Sequence, residues 1–488
     1  GNFITWISDD NDYFDIFIET LVCKNSDFTY SNFELNFEDL NRTKIIKKNF
    51  TDLNNLISNY RGLASFMYSR KLINDIGLYD ENLFKVEDYE YLLRIFNKCN
   101  SIKYIPVTTM SYKRHSESLY SNNEEFIRKI SDNINKIYKI INDKKSNNLF
   151  LYYSKTAWNL LFQRPHQIMR FMNKSLFKIF ITSDDIVKFE EDNNLLIINY
   201  RYKEIIFNNI KDIIIYYTDS RLYNEIFNYQ CKKIYDLIDA PIGEFEVWKS
   251  NLNNCVKNSD YVIYSHPDLV NFLDEIDSTK QYTYISNACD YEHFSSAKDR
   301  IGERPNNFPQ TDKPILGYYG AFSEWLDYDI IRKYADEGIY HIIMIGGIHG
   351  NAKYNMKFEH QNITWLDHKP YDELAYYLSW FDKCFLPFKD CELTKYVNPC
   401  KLWEYMASEK EIIKHNVNMG VNEIVTYEEI CKNINKIISN KNCKNTAIVL
   451  DKYLKGGIEK HTDLLENELN ADVLVFGKST KNHQKIYH

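Results

Sequence analysis

From residue 149 onward the chain repeats one pattern, in which short runs of apolar, β-branched and aromatic residues alternate with longer amphipathic stretches. LFLYYS, IIIYYTD, KIYDLID, YVIYSH, YTYISN, PILGYYG, IIMIGG, ITWLDH and CFLPF are such runs. A strand that is apolar on both faces must be covered on both, and intervening helices do this when the strands run parallel. The pattern therefore predicts an α/β chain with two doubly wound lobes, 148–294 and 314–440. Between them, SSAKDRIGERPNNFPQTDK (295–313) is polar and lacks apolar periodicity, so it is expected to be an interlobe loop.

The flanking regions differ. Residues 1–120 mix strands (FITWIS, FTYSNF, KYIPVTTMSY) with helices (FDIFIETLV, SRKLINDIG, EDYEYLLRIFNKC), which is also α/β material. Within 121–147, Ile127, Ile130, Ile134, Ile137 and Ile141 recur at three and four, predicting an amphipathic connecting helix free to pack on either neighbour. At 446–488 a strand, the pair Gly456–Gly457 and a helix carrying Ile458, Leu464, Leu465 and Leu469 read as the opening βα unit of a further lobe. A start in mid-strand at Gly1 is expected of a fragment.

With 488 residues, three or so folded units are expected. A net charge of -8 with both signs interspersed argues against nucleic acid as a partner. The ten cysteines form no CxxC pair or Cys/His ligand spacing, as expected in a reducing, cytoplasmic setting, and no apolar run is long enough to span a membrane.

Candidate chemistry falls in three places. SDDND (8–12) ends a strand, where Asp10 could hold a hard divalent ion that also bridges a diphosphate; capping of the next helix by Asp9 or Asp12 is the bland alternative. Glu87 and Asp88 stand at a helix entrance, where a carboxylate could take a proton from a sugar hydroxyl or simply complement the helix dipole. His115, in YKRHSESL, could supply a neutral imidazole ligand. In TKYVNPCKLWEYMA (394–407), Asn398 is a plausible N-cap and Pro399 a good first helical residue. Lys401 and Glu404, three apart, then share a face, a cation for phosphate and a carboxylate for two ribose hydroxyls; an ordinary ion-paired helix is the alternative. Gly317 and Gly320 bracket a strand end where backbone could approach a ligand. His266 and His349 also fall at strand ends, and Trp325 suits packing as well as stacking.

These motifs carry two resemblances. SDDN, the phrase ending in ED at Asp88 and YKRH resemble, in order and separation, the metal turn, catalytic-base region and closing segment of family 2 glycosyltransferases, which have the GT-A fold. That resemblance implies manganese or magnesium on Asp10, with Asp12 and His115 completing the expected metal set, and Asp88 as base of an inverting displacement. Ser8 stands where the family often has its first aspartate. The family's uridine-binding half precedes this turn, so 1–120 is expected to be the C-terminal part of such a module and inactive in isolation.

WNLLFQRPHQIM, YISNACDYEHF, PILGYYGAFSEWLDYDII and VNPCKLWEYMASEKEII resemble, across 148–416, the GT-B glycosyltransferases of families 4 and 1. This implies a nucleotide diphosphate between the lobes with no metal, Glu404 on ribose, Lys401 and the Gly320 backbone near phosphate, and Asn398 beside them. Arg164 or His166 would face acceptor and reacting sugar, Arg164 as a donor-binding residue and His166 as a catalytic one. Departures are Glu409 and Glu411 where the family has Gly and Pro, Tyr396 in place of the first of two glutamates, and no Arg/Lys pair after the GxxG. KGGIEKH resembles the first glycine loop of another family 4 module, placing Gly456 and Gly457 near acceptor or phosphate. Together they imply a multi-module glycosyltransferase using nucleotide sugars to extend a surface glycan or lipid-linked glycan, in the cytoplasm or peripherally at the inner membrane face. A degenerate sugar-nucleotide-binding scaffold and a metal-dependent phosphohydrolase built on Asp9, Asp10 and Asp12 are the alternatives.

Overall fold

The computed structural model describes residues 2–439 apart from 9–10, 23–25, 48, 60–61, 84, 115–122, 145–148, 160–161, 350–356 and 418–422, together with the backbone of 446–450 and 472–476. The chain divides into two compact units, one of residues 1–147 with 185–187 and 198–211, the other of the remainder.

The first unit is built on a mixed sheet in the order Phe3–Ile4, Phe66–Ser69, Phe28–Phe37, Ile102–Arg114, Asp12–Tyr13, with Arg42–Ile46 paired to Phe28–Phe37. Phe28–Phe37 runs parallel to Ile102–Arg114 and antiparallel to its other partners. Phe17, Leu21, Phe33, Met67 and Met110 form one core on it. The predicted connecting helix, Glu124–Asp143, belongs to this unit. Its Ile130, Ile134, Ile137 and Ile141 are buried as the periodicity requires. Tyr138 donates to Glu90 Oε1 at 2.9 Å and Tyr89 to Asn135, tying it to the helix Glu87–Lys98. Ile127, at the start of the same face, is only partly buried and lines a cavity.

The second unit carries two Rossmann-like sheets. The first has eight strands in the order Thr283–Tyr284, Tyr261–Tyr264, Lys232–Leu237, Ile213–Tyr217, Leu149–Tyr152, Phe177–Thr182, Leu195–Asn199, Val187–Glu190, and the first six run parallel. The second is wholly parallel, in the order Ile363–Leu366, His341–Ile345, Ile315–Tyr319, Lys383–Pro387, Glu411–His415. All nine predicted runs are strands. Phe177–Thr182, Leu195–Asn199, Val187–Glu190 and Glu411–His415 are additional to them. The interlobe segment is anchored rather than free: Trp380 Nε1 donates to Ile301 O at 3.1 Å, Ile301 N to Ser379 Oγ at 3.0 Å, and Phe308 stacks on Phe381.

Near the C-terminus, Thr446–Leu450 and Asp472–Phe476 pair in parallel; Gly456 and Gly457 lie outside the described residues. Among the described residues no helix is long and apolar enough to cross a membrane.

Two glycines fix how the strand ends of the second sheet meet. At Gly317 a Cβ would lie 2.2 Å from the Phe381 ring, so this glycine serves packing and does not open backbone to a ligand, correcting the reading above. At Gly346, φ is +154° and a Cβ would sit 1.8 Å from Gly320 O. Gly346→Ala is accordingly expected to cost about 2–3 kcal/mol through overpacking and backbone strain. A urea melt in which the variant matches the parent within about 0.5 kcal/mol would contradict this, since that is the scatter of neutral surface substitutions.

Candidate functional site

The second unit holds the more complete constellation. The strand Ile315–Tyr319 delivers Gly320 at its C-terminal end, with φ +140°. Above it lies Lys401, on the first turn of the helix Cys400–Ala407: a Cβ at Gly320 would be 2.6 Å from Lys401 Cε and 2.9 Å from Nζ. Only a residue without a side chain lets the ammonium rest against this backbone. Lys401 Nζ is 5.5 Å from the Tyr318 ring centre and, among the described residues, has no hydrogen bond or ion pair. Burial pulls its pKa down, opposed by the nearby Glu404 carboxylate.

Glu404 follows one turn later, 8% exposed, and accepts from the Tyr319 hydroxyl at 2.7 Å. Burial pushes its pKa up to about 7, against the lowering effects of Tyr319 and Lys401 and with a further upward push from Asp290. A carboxyl that titrates near neutrality beside a half-buried cation with no ion pair among the described residues suits a ligand carrying both hydroxyls and negative charge. Tyr371 was not singled out from sequence. Its ring stacks on His293 at 5.1 Å and lies 4.5 Å from Phe162, and burial with the charges of Glu404 and Asp290 keeps its hydroxyl protonated. Nothing local in the sequence marks it.

Three predicted contacts prove structural. Arg164 is 1% exposed: Nε donates to Asp236 Oδ2 at 2.7 Å, and Nη1 to Ser286 O at 2.6 Å and Asn287 Oδ1 at 3.3 Å. Asp236 also accepts from the Tyr216 hydroxyl at 2.6 Å. Such a guanidinium braces the fold and does not face a substrate. Asn398 is not the helix N-cap, a position taken by Pro399. Its amide donates to Ser265 O and Ser286 Oγ at 2.8 and 2.9 Å, and its oxygen accepts from Trp403 Nε1 at 2.8 Å. Asn287 Nδ2 donates to Asn398 O at 2.5 Å. A continuous buried network thus joins the Arg164 helix to the Lys401 helix and fixes the latter's approach.

His166 closes a capping box, its Nδ1 accepting from Gln163 N at 3.2 Å, with Trp158, Phe162 and Phe180 rings packed about it. Burial, then the Arg170 charge, lowers its pKa to about 3. An enclosed ring held in its neutral form by burial is suited to starting a helix and makes a poor proton carrier near neutral pH. His266 likewise caps a turn, accepting from Asp268 N at 3.2 Å, and Trp325 lies by Phe245 and His349.

The departures at Glu409 and Glu411 are neutralised where they stand, since Glu409 pairs with Lys298 at 2.5 Å and Glu411 with Lys383 at 2.7 Å. Glu409 occupies the left-handed region, φ +56°, which a glycine would enter without strain. Glu409→Gly is expected to stabilise the chain by up to about 1 kcal/mol, the relieved backbone outweighing an exposed ion pair. A lowered melting temperature would show the opposite sign.

In the first unit the three motifs meet at one cavity of about 1270 Å³, lined among others by Ser8, Asn11, Asp88, Tyr112 and Arg114. Asp88 accepts from Tyr89 N at 2.6 Å, and burial, then the Glu87 charge, pushes its pKa up to about 6 against that bond. Asp10 and His115 lie outside the described residues. Asp12 is largely exposed and pairs with Lys113 at 3.0 Å. Among the described residues no three His, Cys, Asp or Glu side chains converge to hold a metal ion. Of the expected metal set only Asp12 falls among the described residues, and its carboxylate is engaged by Lys113.

No family model matches the sequence, and no curated protein matches it. Solved structures do. Anabaena HepE in complex with UDP-glucose is similar over 60% of this chain and 90% of its own, at 12% identity and a TM-score of 0.40. The wall teichoic acid polymerase TagF is similar over 64% of this chain and 86% of its own, at 12% identity and a TM-score of 0.33. At such values the likeness carries no argument by itself. What the chain's own strands and helices establish is an α/β protein with two Rossmann-like parallel sheets in its second unit, joined through the Arg164–Asn398 network.

Proposed function

We propose that the chain is a glycosyltransferase that moves a sugar from a nucleotide-sugar donor onto a glycan or lipid-linked glycan during surface-polymer synthesis, in the cytoplasm or peripherally at the membrane face. The supporting observation is Lys401, half-buried over the Gly320 backbone, without an ion-pair partner among the described residues and one helical turn before Glu404. Lys401 and the Gly320 backbone would receive the diphosphate, so that charge developing on the leaving group meets a fixed cation in a desolvated place. The Glu404 carboxylate would take the ribose hydroxyls. Asp88, which lines its own cavity, would accept a proton from an acceptor hydroxyl.

Calorimetry of the full chain with UDP and UDP-glucose, the latter being what HepE holds, followed by an assay of sugar release, tests this reading. Saturable binding with turnover is expected, and no binding of UDP, UDP-glucose or a cytidine diphosphate counterpart would sink it. Binding without turnover would favour the scaffold alternative, which draws on Tyr396, whose phenol stands by Glu392, His266 and Phe272 where the resembled family has a carboxylate. The phosphohydrolase alternative is weakened by the engagement of Asp12 with Lys113.

A further inference from the structure

The cavity of the first unit has a wall that the proposed chemistry does not explain. One face of the helix Glu124–Asp143 forms it, contributing Arg128, Lys136 and Lys139 at helical spacing. Lys85 and Arg114 add to the lining from outside this helix, so five cationic side chains stand against three carboxylates, Asp88, Glu124 and Asp132. Oppositely charged residues four apart on a helix ordinarily pair with one another. Here Glu124 and Arg128 form no such pair, and neither Arg128 nor Lys139 has a hydrogen bond or ion pair among the described residues. Lys136 donates to Val187 O at 2.9 Å, an uncharged partner.

The lining also includes apolar and aromatic residues. Trp6 is one of them, held by Tyr79 and Phe66 at ring separations of 4.8 and 5.8 Å. Lys85, three residues before Asp88, has φ +74°, a strained conformation for a side chain of this size and one that clusters at ligand-binding places. Aromatic residues, a carboxylate and an excess of cations in one lining describe a pocket for a ring-shaped, hydroxyl-bearing, negatively charged molecule.

We infer that this cavity binds an anionic saccharide, a phosphate- or carboxylate-bearing sugar whose charge is met by the Arg128, Lys136 and Lys139 face while a hydroxyl reaches Asp88. The choice of a saccharide rests on the glycosyltransferase reading; the preference for negative charge rests on the cavity alone. Asp88, raised to about 6 by burial, would exist mostly as the carboxylate that can accept a hydroxyl proton at neutral pH.

The test is calorimetry of the full chain, at low salt, with glucose 1-phosphate, glucuronate and glucose. At least one anionic probe is expected to bind tenfold or more tighter than glucose, and which of the two is tighter tells phosphate from carboxylate. Arg128→Glu/Lys136→Glu/Lys139→Glu is expected to weaken that binding at least tenfold, and the milder Arg128→Gln/Lys139→Gln at least threefold. Equal affinity for glucose, binding indifferent to both helix variants, or no saturable binding of either anion overturns the inference. UDP-glucose binding, measured on the same proteins, reports separately on the donor reading.

Discussion

Arg164→Ala is expected to cost about 3–5 kcal/mol of stability, because it strands a buried carboxylate in a place from which water is excluded. Asp236 has no exposed surface, and with Arg164 removed its remaining side-chain partner among the described residues is the Tyr216 hydroxyl. The same change unpairs Ser286 O and Asn287 Oδ1, and Asn287 is the residue that reaches Asn398. Urea unfolding followed through the second unit's transition measures the loss, and a cost below about 1 kcal/mol, the level of a surface ion pair, would refute the bracing role. Arg164→Met/Asp236→Leu removes both charges and should recover about half of it, since isosteric apolar replacement of a buried pair is commonly near neutral while Ser286 and Asn287 still lack a donor. A double variant as unstable as the single one would place the whole penalty on those two acceptors.

Lys401→Ala and Glu404→Gln should each weaken UDP-glucose binding about ten- to a hundredfold, the range for losing one hydrogen bond to a charged group. The pH dependence separates them. The folded pKa of Glu404, about 7, lies above its ordinary 4.5. The stability contributed by the protonated, buried carboxyl is therefore complete below about pH 4.5 and lost as pH rises through 7. Donor affinity should run the other way, rising between pH 6 and 8 as the carboxylate that accepts two hydroxyls becomes populated. In Glu404→Gln that rise should vanish, while Lys401→Ala should keep it at lower overall affinity. A wild-type profile that is flat across this interval would remove Glu404 from the ribose contact.

Several features of the fold were legible because burial on both faces leaves an unbroken apolar run, and LFLYY or IIMI could be little else. FKIFIT was not singled out since Lys178 interrupts it. In the structure that lysine is wholly buried, its ammonium donating to Met172 O at 2.9 Å, a partner six residues away that no local pattern announces. The helix 124–143 was legible from its isoleucines, but the periodicity is silent on which neighbour receives them; Tyr138 and Asn135, reaching Glu90 and Tyr89, settle it.

The site divides in the same way. By itself the sequence determined that Lys401 and Glu404 share a helical face and that Gly320 ends a strand, because three-residue spacing and a missing side chain act locally. Only the tertiary structure decided that the lysine lies over the glycine unpaired, that Glu404 is desolvated enough to titrate near neutrality, and that Arg164, His166 and Asn398 serve the scaffold. Arg164 meets a carboxylate 72 positions away and Asn398 a carbonyl 133 positions away. Whether a polar side chain faces a ligand or braces the fold depends on which distant groups are buried beside it, and chain order alone does not encode that.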